Sequence, residues 1–153
     1  MRLLTRTFAT VLVALSLAPV AQANGASGQR DHSQADQVCL TEAIYFEANP
    51  HAESQQAVGH VILNRARDSR FPSSVCGVIK QGCQFSYRCS GRSLALRDKV
   101  KRQRAEQAAT AVLAGSDDPT RGALFFHSAK ARPGGFFSKR PRVGEIGGNV
   151  FYR

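Results

Sequence analysis

The 153-residue sequence lacks the residue patterns that most zinc sites use. Its four cysteines include no Cys-x-x-Cys pair, which argues against structural zinc. Its four histidines show no His-Glu-x-x-His spacing, which argues against a zinc amidase. His51-Ala52-Glu53 is similar to the start of a zinc-deaminase motif, but the Pro-Cys-x-x-Cys that completes that motif is missing. The sequence therefore predicts no metal site and no cofactor.

Long apolar runs are missing after residue 23, and a membrane span needs about 20 apolar residues. Residues 1–23 have the pattern of a secretory signal peptide: Arg2 and Arg6, an apolar stretch over 8–17, and small residues before a cleavage site after Ala23. We expect an exported protein, periplasmic or secreted, with no stable membrane insertion after cleavage. Residues 24–35 are predicted to be a flexible lead-in. Residues 36–153 are predicted to form one domain, most simply a monomer.

Acidic residues are scarce, so the chain is strongly basic. It contains 21 Lys and Arg against 11 Asp and Glu, for a formal net charge of +10. The excess persists when Arg2 and Arg6 are removed with the signal peptide. Such a surface favours polyanions. An exported protein meets the acidic bacterial wall rather than nucleic acid, so no nucleic-acid partner is expected.

The four cysteines predict disulfide bonds. An even number of cysteines in an exported chain indicates disulfides, and four cysteines allow three pairings. Cys83 and Cys89 are close enough in sequence to close a small loop. This favours Cys83–Cys89 together with Cys39–Cys76, with the other two pairings left open.

Hydrophobic periodicity predicts a mostly helical chain without internal repeats. Apolar residues at helical spacing predict helices over 33–48, 53–68, 72–80 and 93–114. Short aromatic segments separated by glycine pairs predict strands and turns at 123–127, 136–137 and 149–153. The predicted fold class is therefore α+β, mostly helical, with a small C-terminal antiparallel sheet.

Glu47 is the residue that departs from this periodicity. It follows Leu40, Ala43 and Ile44 on one helical face, where an apolar residue is expected. Burial beside aromatic side chains raises the pKa of a carboxylic acid, and so does the C-terminal end of a helix. A general acid needs to keep its proton near neutral pH in this way. The alternative is a structural glutamate paired with an arginine.

Several ordered segments resemble one family. They are CLTEAIYFEA from Cys39, AVGHVILNR from Ala57, VCGVI from Val75, QFS from Gln84, ALFFH ending at His127, and IGGNVFYR ending at Arg153. Their order and spacing resemble the SleB/CwlJ group of cell wall hydrolases over roughly 38–153.

The resemblance implies a lysozyme-like or lytic-transglycosylase-like catalytic domain over 36–153 that acts on peptidoglycan, with Glu47 at the catalytic position. Two departures stand out. The family usually continues Glu-Ala-Arg-Gly-Glu, where this chain has Glu47-Ala48-Asn49-Pro50-His51. A tryptophan common in the family is replaced by Phe136 or Phe137.

One convincing carboxylate indicates a lytic transglycosylase, because hydrolysis by water normally needs two carboxylates. Glu47 would protonate the oxygen between N-acetylmuramic acid and N-acetylglucosamine, and the muramyl 6-hydroxyl would be the nucleophile. Hydrolysis stays possible if a second carboxylate folds near Glu47, and the candidates are Asp68, Asp98, Asp117, Asp118 and Glu145.

Five residues are candidates for substrate binding, each with packing as the alternative. Gln84, Phe85 and Ser86 lie between the two cysteines of the small loop and are expected to line the sugar cleft. Tyr152 is expected to hydrogen-bond or stack on a sugar, and His127 becomes a cleft candidate through the resemblance.

Two other functions remain open at this stage. A small basic ribonuclease would need a pair of general acid and base groups, for which His127 with His51 or His60 is conceivable. A non-catalytic or partner-dependent peptidoglycan-binding domain is the other alternative, because the segment after Glu47 departs from the family pattern.

Overall fold

The computed structural model describes residues 32–153. The predicted signal peptide, 1–23, and most of the predicted lead-in, 24–35, lie outside this range. The helices are α1 Gln34–Glu47, α2 Ala52–Arg67, α3 Val75–Lys80, α4 Lys99–Leu113 and α5 Gly135–Ser138, and the strands are β1 Phe125–Ser128, β2 Arg142–Ile146 and β3 Asn149–Tyr152. The predicted α+β class is confirmed. Within residues 32–153, no helix has the length and apolar character needed to span a bilayer.

Helix α1 begins and ends where local chemistry dictates. The Ser33 hydroxyl accepts a hydrogen bond from the backbone N–H of Asp36 and caps the helix. The helix thus begins at Gln34, two residues before the predicted domain start at 36. The helix ends at Glu47, because Asn49 precedes Pro50 and a residue before proline avoids helical geometry. The chain therefore turns away directly after Glu47.

The core lies where α1, α2 and α4 meet. Its fully buried side chains come from all three helices and from α3, and include Leu40, Ile44, Val58, Ile62, Val78, Ile79 and Val112. Burying one such aliphatic side chain contributes about 1.5–3 kcal/mol. Helices α2 and α4 approach closely at Gly59, where an added Cβ would lie 3.0 Å from Cγ2 of Val112. The Cys39–Cys76 disulfide joins α1 to α3.

The sheet is antiparallel with strand order β1-β3-β2, and β3 is buried along its whole length. Strands β2 and β3 are joined by Gly147 and Gly148, both with positive φ (56° and 80°), as a tight two-residue hairpin requires. The hairpin turn packs against the start of α2, where a Cβ on Gly147 would lie only 2.5 Å from Cβ of Ser54. The sheet is thereby fixed against the helical part of the domain.

Three sequence predictions are corrected. Phe136 and Phe137, predicted as strand, lie in the short helix α5, which begins at Gly135 after Pro133 and Gly134. Strand β2 was not predicted at all. Helix α4, predicted from 93, begins at Lys99 because the Asp98 carboxylate accepts from the Lys101 N–H at 2.9 Å and caps the helix there.

The predicted start of the third helix is also wrong. It begins at Val75 rather than at 72, because the Ser74 hydroxyl accepts from the Gly77 N–H at 3.1 Å. Helices α1 and α2 differ from their predictions by one residue at each end.

Candidate active site

Glu47 lies in a cleft between the helices and the sheet, with a cavity of about 330 Å³. Three parts of the chain contribute its walls: the ends of α1 and α2, the loop before Cys89, and the sheet with α5. The lining residues are Glu47, Arg65, Gln84, Phe85, Phe125, Phe126, His127, Ser128, Phe136, Phe137 and Asn149. The cleft is therefore rich in aromatic rings and contains one carboxylate among the described residues.

Glu47 is half-buried as the last residue of α1. Burial raises the pKa of its carboxyl group above the ordinary value, while the positive charge of Arg65 opposes this rise. Within residues 32–153, its carboxylate accepts no hydrogen bond and forms no ion pair at 4.0 Å or less. A carboxylic acid in this setting retains its proton longer than an exposed one, and its oxygens are unengaged.

Arg65, near the C-terminal end of α2, is a cleft residue that sequence reasoning did not place there. It is only 4% exposed, and its Nε donates to the Leu124 carbonyl at 2.6 Å. Its guanidinium lies 5.5–5.7 Å from the ring centroids of Phe71, Phe85 and Phe125. Burial lowers its pKa to about 10, against the opposing effect of Glu47, so it stays charged at neutral pH. An arginine inside an apolar helical stripe was the available signal.

His127 and Tyr152 lie together on neighbouring strands. His127 Nδ1 is 2.8 Å from the Ser128 carbonyl, so this nitrogen carries the proton and donates. Nε2 of a neutral His127 then accepts from the Tyr152 hydroxyl, 3.0 Å away. The imidazole also contacts the Phe137 ring, with centroids 4.8 Å apart. His127 lines the cleft, whereas Tyr152 is buried behind it and fixes the orientation of the imidazole.

The small loop contains the expected disulfide, Cys83–Cys89, and its residues separate into two places. Gln84 and Phe85 line the cleft with Glu47, and Phe85 is 2% exposed. Ser86 is exposed and lines a separate cavity of about 360 Å³ beside Phe46 and Tyr87. The sequence grouped these three residues, and the structure brings two of them to Glu47.

Asn149 at the start of β3 is a second cleft residue that the sequence analysis did not single out. It is 4% exposed, and its amide lies 3.5 Å from the Ser54 hydroxyl. The same hydroxyl accepts from the Asn49 N–H at 3.1 Å, and the Asn49 amide donates to the Gly147 carbonyl at 2.7 Å. These contacts fix the segment after Glu47 to the hairpin. The departure at Asn49-Pro50-His51 is thus held against the hairpin turn and does not line the cleft itself.

The other candidate carboxylates are engaged outside the cleft. Asp68 pairs with Arg70, whose hydrogen bonds lower the pKa of Asp68 to about 2. Asp98 caps α4, and Asp118 accepts from Asn64 and Thr120. Asp117 and Glu145 are exposed and do not line this cleft.

A second carboxylate of α1, that of Glu42, is engaged away from the cleft lining. Its carboxylate is half-buried and accepts hydrogen bonds from the Tyr87 hydroxyl and from Arg88. These contacts connect α1 to the disulfide-closed loop, so Glu42 positions that loop.

Neither zinc chemistry nor a ribonuclease mechanism receives support from the described residues. His60 is buried in α2 and contacts the Ser116 hydroxyl, so His127 is the one histidine that lines the cleft within residues 32–153. In the same part of the chain, no cluster of three or more His, Cys, Asp or Glu side chains is arranged to hold a metal ion.

Comparison with known proteins identifies relatives. A family model described as Cell Wall Hydrolase matches residues 49–152, a range that begins two residues after Glu47. The spore cortex-lytic enzyme of Oceanobacillus iheyensis is 33% identical over 78% of this chain and 42% of its own length. The spore cortex-lytic enzyme of Bacillus subtilis is 32% identical over 73% of this chain and 35% of its own length. The chain thus spans less than half the length of these curated relatives.

Solved structures agree with the predicted lytic-transglycosylase-like fold. The catalytic domain of the germination-specific lytic transglycosylase SleB from Bacillus anthracis superposes with a TM-score of 0.70 at 29% identity, covering 81% of this chain and 98% of that one. The catalytic domain of Bacillus cereus SleB gives a TM-score of 0.69 at 28% identity, covering 81% and 94%. The fold prediction is confirmed.

Proposed function

Because the chain belongs to the cell wall hydrolase family, we propose that it cleaves peptidoglycan glycan strands between N-acetylmuramic acid and N-acetylglucosamine. The reaction is a lytic transglycosylation, with Glu47 as the single acid and base. The observation that carries this proposal is a half-buried carboxyl group of raised pKa, free of hydrogen bonds from residues 32–153, in an aromatic-lined cleft.

The absence of a second carboxylate from the described cleft lining supports transglycosylation over hydrolysis. An inverting hydrolase holds two carboxyl groups about 6.5–9.5 Å apart to admit a water, and a retaining one about 5–5.5 Å apart. An internal nucleophile on the substrate removes the need for a second carboxylate.

Glu47 ends the proposed reaction in the protonation state in which it began. Protonated Glu47 gives its proton to the glycosidic oxygen as the bond from that oxygen to the muramyl anomeric carbon breaks. The muramyl 6-hydroxyl then bonds to the same carbon, and its proton passes to the Glu47 carboxylate. The products are a 1,6-anhydromuramyl end and a new N-acetylglucosamine hydroxyl, and Glu47 is protonated again.

Neighbouring side chains support this cycle. Arg65 stabilises the Glu47 carboxylate that exists after the proton has left, since an opposite charge favours the ionised form. Phe85, Phe136 and Phe137 offer ring faces to the sugars, while Gln84 and His127 offer polar groups at the cleft wall. Ser86 lies on the adjacent cavity, where it contacts a longer glycan strand.

The setting of this activity is the bacterial wall. We infer that the protein is exported, to the periplasm or beyond, and acts on peptidoglycan as a monomer without a nucleic-acid partner. The excess of basic over acidic residues, which persists without Arg2 and Arg6, supports adsorption to an acidic polymer.

The test compares the protein with its Glu47→Gln variant on purified peptidoglycan, with soluble products identified by mass spectrometry. Gln keeps the shape of Glu but cannot donate the acid proton, so release of fragments should fall at least about a hundredfold. Glu106→Gln is the matched control, because Glu106 is an exposed residue of α4 that does not line the cleft, and it should act like wild type.

The product ends separate the reaction types. Anhydromuramyl ends support transglycosylation, and reducing ends would replace it with hydrolysis. If wild type and Glu47→Gln both bind the wall and neither releases fragments, the proposal fails in favour of a non-catalytic or partner-dependent binding domain.

A further inference from the structure

Phe136 combines an exposed aromatic ring with a place in the cleft. Among residues 32–153, the exposed large apolar side chains are Val38, Val100 and Phe136. Phe136 alone among them is aromatic and lines the cleft with Glu47. It is 52% exposed, whereas Phe85 is 2% exposed and the other phenylalanines of the described lining are half-buried. Phe136 is therefore the most accessible phenylalanine of the described cleft lining.

Arg140 lies against one face of the Phe136 ring. Its guanidinium carbon is 3.6 Å from the ring centroid. Carbon atoms in contact are about 3.5–4.0 Å apart, so an atom this close to the centroid lies over a face and not beside the ring edge. The same side chain donates from Nη1 to the Phe136 carbonyl at 2.8 Å. Arg140 thus holds both the ring and the backbone of Phe136.

The positive charge of Arg140 is directed at aromatic rings. Its guanidinium also lies 4.3 Å from the ring centroid of Phe125 in β1. Within residues 32–153, it forms no ion pair with a carboxylate at 4.0 Å or less. A guanidinium over a ring face is attracted by the negative charge of that face. Arg140 therefore ties Phe136, on the short helix α5, to the sheet.

The uncovered face of Phe136 is turned towards the cleft. Phe136 lines the cleft and Arg140 does not, so the face that Arg140 covers points away from the cleft. Phe125 and Phe137 meet the ring at interplanar angles of 81° and 84°, so neither ring is stacked parallel to it. The cleft is thus offered an accessible aromatic face that is supported from behind.

We propose that this face of Phe136 is the platform on which one sugar ring of the glycan strand stacks, and that Arg140 is its positioning residue. The inference rests on the proposed function, since the strand supplies the sugar. A pyranose with equatorial substituents turns C–H groups to its faces, and these slightly positive hydrogens suit the negative face of an aromatic ring. Arg140 does not touch the sugar. It fixes the angle of the ring beforehand, which reduces the ordering that binding requires.

The kinetic test measures KM and kcat on soluble glycan strands. Phe136→Leu removes the ring and should raise KM about tenfold, equivalent to about 1.4 kcal/mol, with kcat unchanged, because the stacked sugar is held equally before and during the reaction. Phe136→Trp retains an aromatic face and should have a KM close to that of wild type. A wild-type KM in Phe136→Leu would overturn the platform.

Arg140→Met tests the positioning role. It leaves the Phe136 ring in place without its support, so KM should rise about threefold with kcat unchanged. Arg140→Lys retains the charge but not the flat guanidinium, and its KM should fall between those of Arg140→Met and wild type. Arg142→Met is the matched control, because Arg142 pairs with Glu145 and does not line the cleft. Equal KM values in wild type, Arg140→Met and Arg140→Lys would overturn the positioning role.

A binding test separates this inference from the proposed catalysis. The protein has no tryptophan, so Phe136→Trp combined with Glu47→Gln supplies a single fluorophore. Titration with soluble glycan strands should shift its emission to shorter wavelength in a saturable way, and adding Arg140→Met should weaken this binding. Val100→Trp is the matched control, since Val100 is exposed on α4 and does not line the cleft, and it should show no shift.

The platform and the catalytic proposal can fail separately. A saturable shift in Phe136→Trp, together with no cleavage of strands by wild type, would refute the catalytic proposal alone. Cleavage that depends on Glu47, together with no shift in Phe136→Trp, would refute the platform alone.

Discussion

Glu47 and Arg65 interact electrostatically inside the cleft. Burial raises the pKa of Glu47, and the charge of Arg65 limits that rise. A group that first donates and then recovers one proton works best with a pKa near the pH of its surroundings. Burial alone would hold the proton too tightly, and an exposed carboxylate would lose it too early. In the proposed reaction, Arg65 would therefore adjust the pKa of Glu47.

Replacement of Arg65 tests this assignment through the pH profile of kcat/KM. In the proposed reaction Glu47 must be protonated to act, so activity should fall as pH rises through its pKa. Arg65→Met removes the charge that favours ionisation, so the pKa of Glu47 rises further and the falling limb moves to higher pH. Arg65→Lys retains a positive charge and should leave the limb closer to wild type. A limb that stays fixed or moves to lower pH in Arg65→Met would contradict the electrostatic role.

The same pair of variants needs a stability control. Arg65→Met leaves the buried Leu124 carbonyl without its Nε donor, which costs about 1–3 kcal/mol. Thermal unfolding of each variant shows whether the enzyme is folded over the pH range used. A pH limb that shifts in folded protein reports on Glu47 itself.

At the scale of elements, α1 to α4 were predictable as helices, although the starts of α3 and α4 were misplaced, and the sheet region with α5 was only partly predictable. Ser33, Pro50 and Ser74 are local signals, and they set helix ends through contacts within a few residues. Phe136 and Phe137 were misread because aromatic residues favour strands, while their helix depends on contacts such as Arg140 lying 3.6 Å from the Phe136 ring centroid. Tertiary contacts of this kind are not visible in local sequence.

The residues of the candidate site show the same division between local signals and tertiary contacts. Glu47 could be found because a charged residue on an apolar helical face is a local anomaly. Asn149 could not, because its place in the cleft depends on Ser54, 95 residues away in the chain. Arg65 lies between these cases, since its burial is implied by the apolar stripe of α2 but its partners are not.

The turn between β2 and β3 holds the sheet against α2, and Gly147 is its critical residue. Gly147→Ala would place a Cβ 2.5 Å from Cβ of Ser54 and would also strain the backbone at a φ of 56°. A side chain in the left-handed region costs about 1–2 kcal/mol, and overpacking costs about 1–3 kcal/mol more. We expect a loss of about 2–5 kcal/mol in the free energy of unfolding, measured by urea denaturation.

Gly144→Ala is the matched control in β2, because an added Cβ there meets nothing within 4 Å and the φ is not positive. It should lower stability by less than about 1 kcal/mol. Similar losses in the two variants would show that the contact with Ser54 does not hold the hairpin in place. Because Asn149 follows the turn directly, Gly147→Ala should also reduce activity in the fraction that remains folded.

At the scale of the whole molecule, the proposed adsorption to the wall and the proposed cleavage of the glycan strand would depend on different forces. The cleft uses aromatic faces and short-range contacts at one end of the fold. The excess of basic residues, which persists without Arg2 and Arg6, acts over a longer range and would attract an acidic polymer whatever its local orientation. Such attraction between exposed charges is screened within about 10 Å at 0.1 M salt. Adsorption and turnover should therefore respond differently to ionic strength.

Salt titration separates these two contributions. Adsorption of the Glu47→Gln protein to purified sacculi, measured by sedimentation, should weaken severalfold as salt rises from about 0.01 M to 0.5 M, because counterions screen the basic surface. Cleavage of short, uncharged glycan fragments by the wild-type protein should change little over the same range. Sacculi stripped of their anionic polymers are the control, and adsorption to them should be weaker and less sensitive to salt. If adsorption to intact sacculi does not depend on salt, the positive charge serves solubility alone, and the wall is recognised through the cleft.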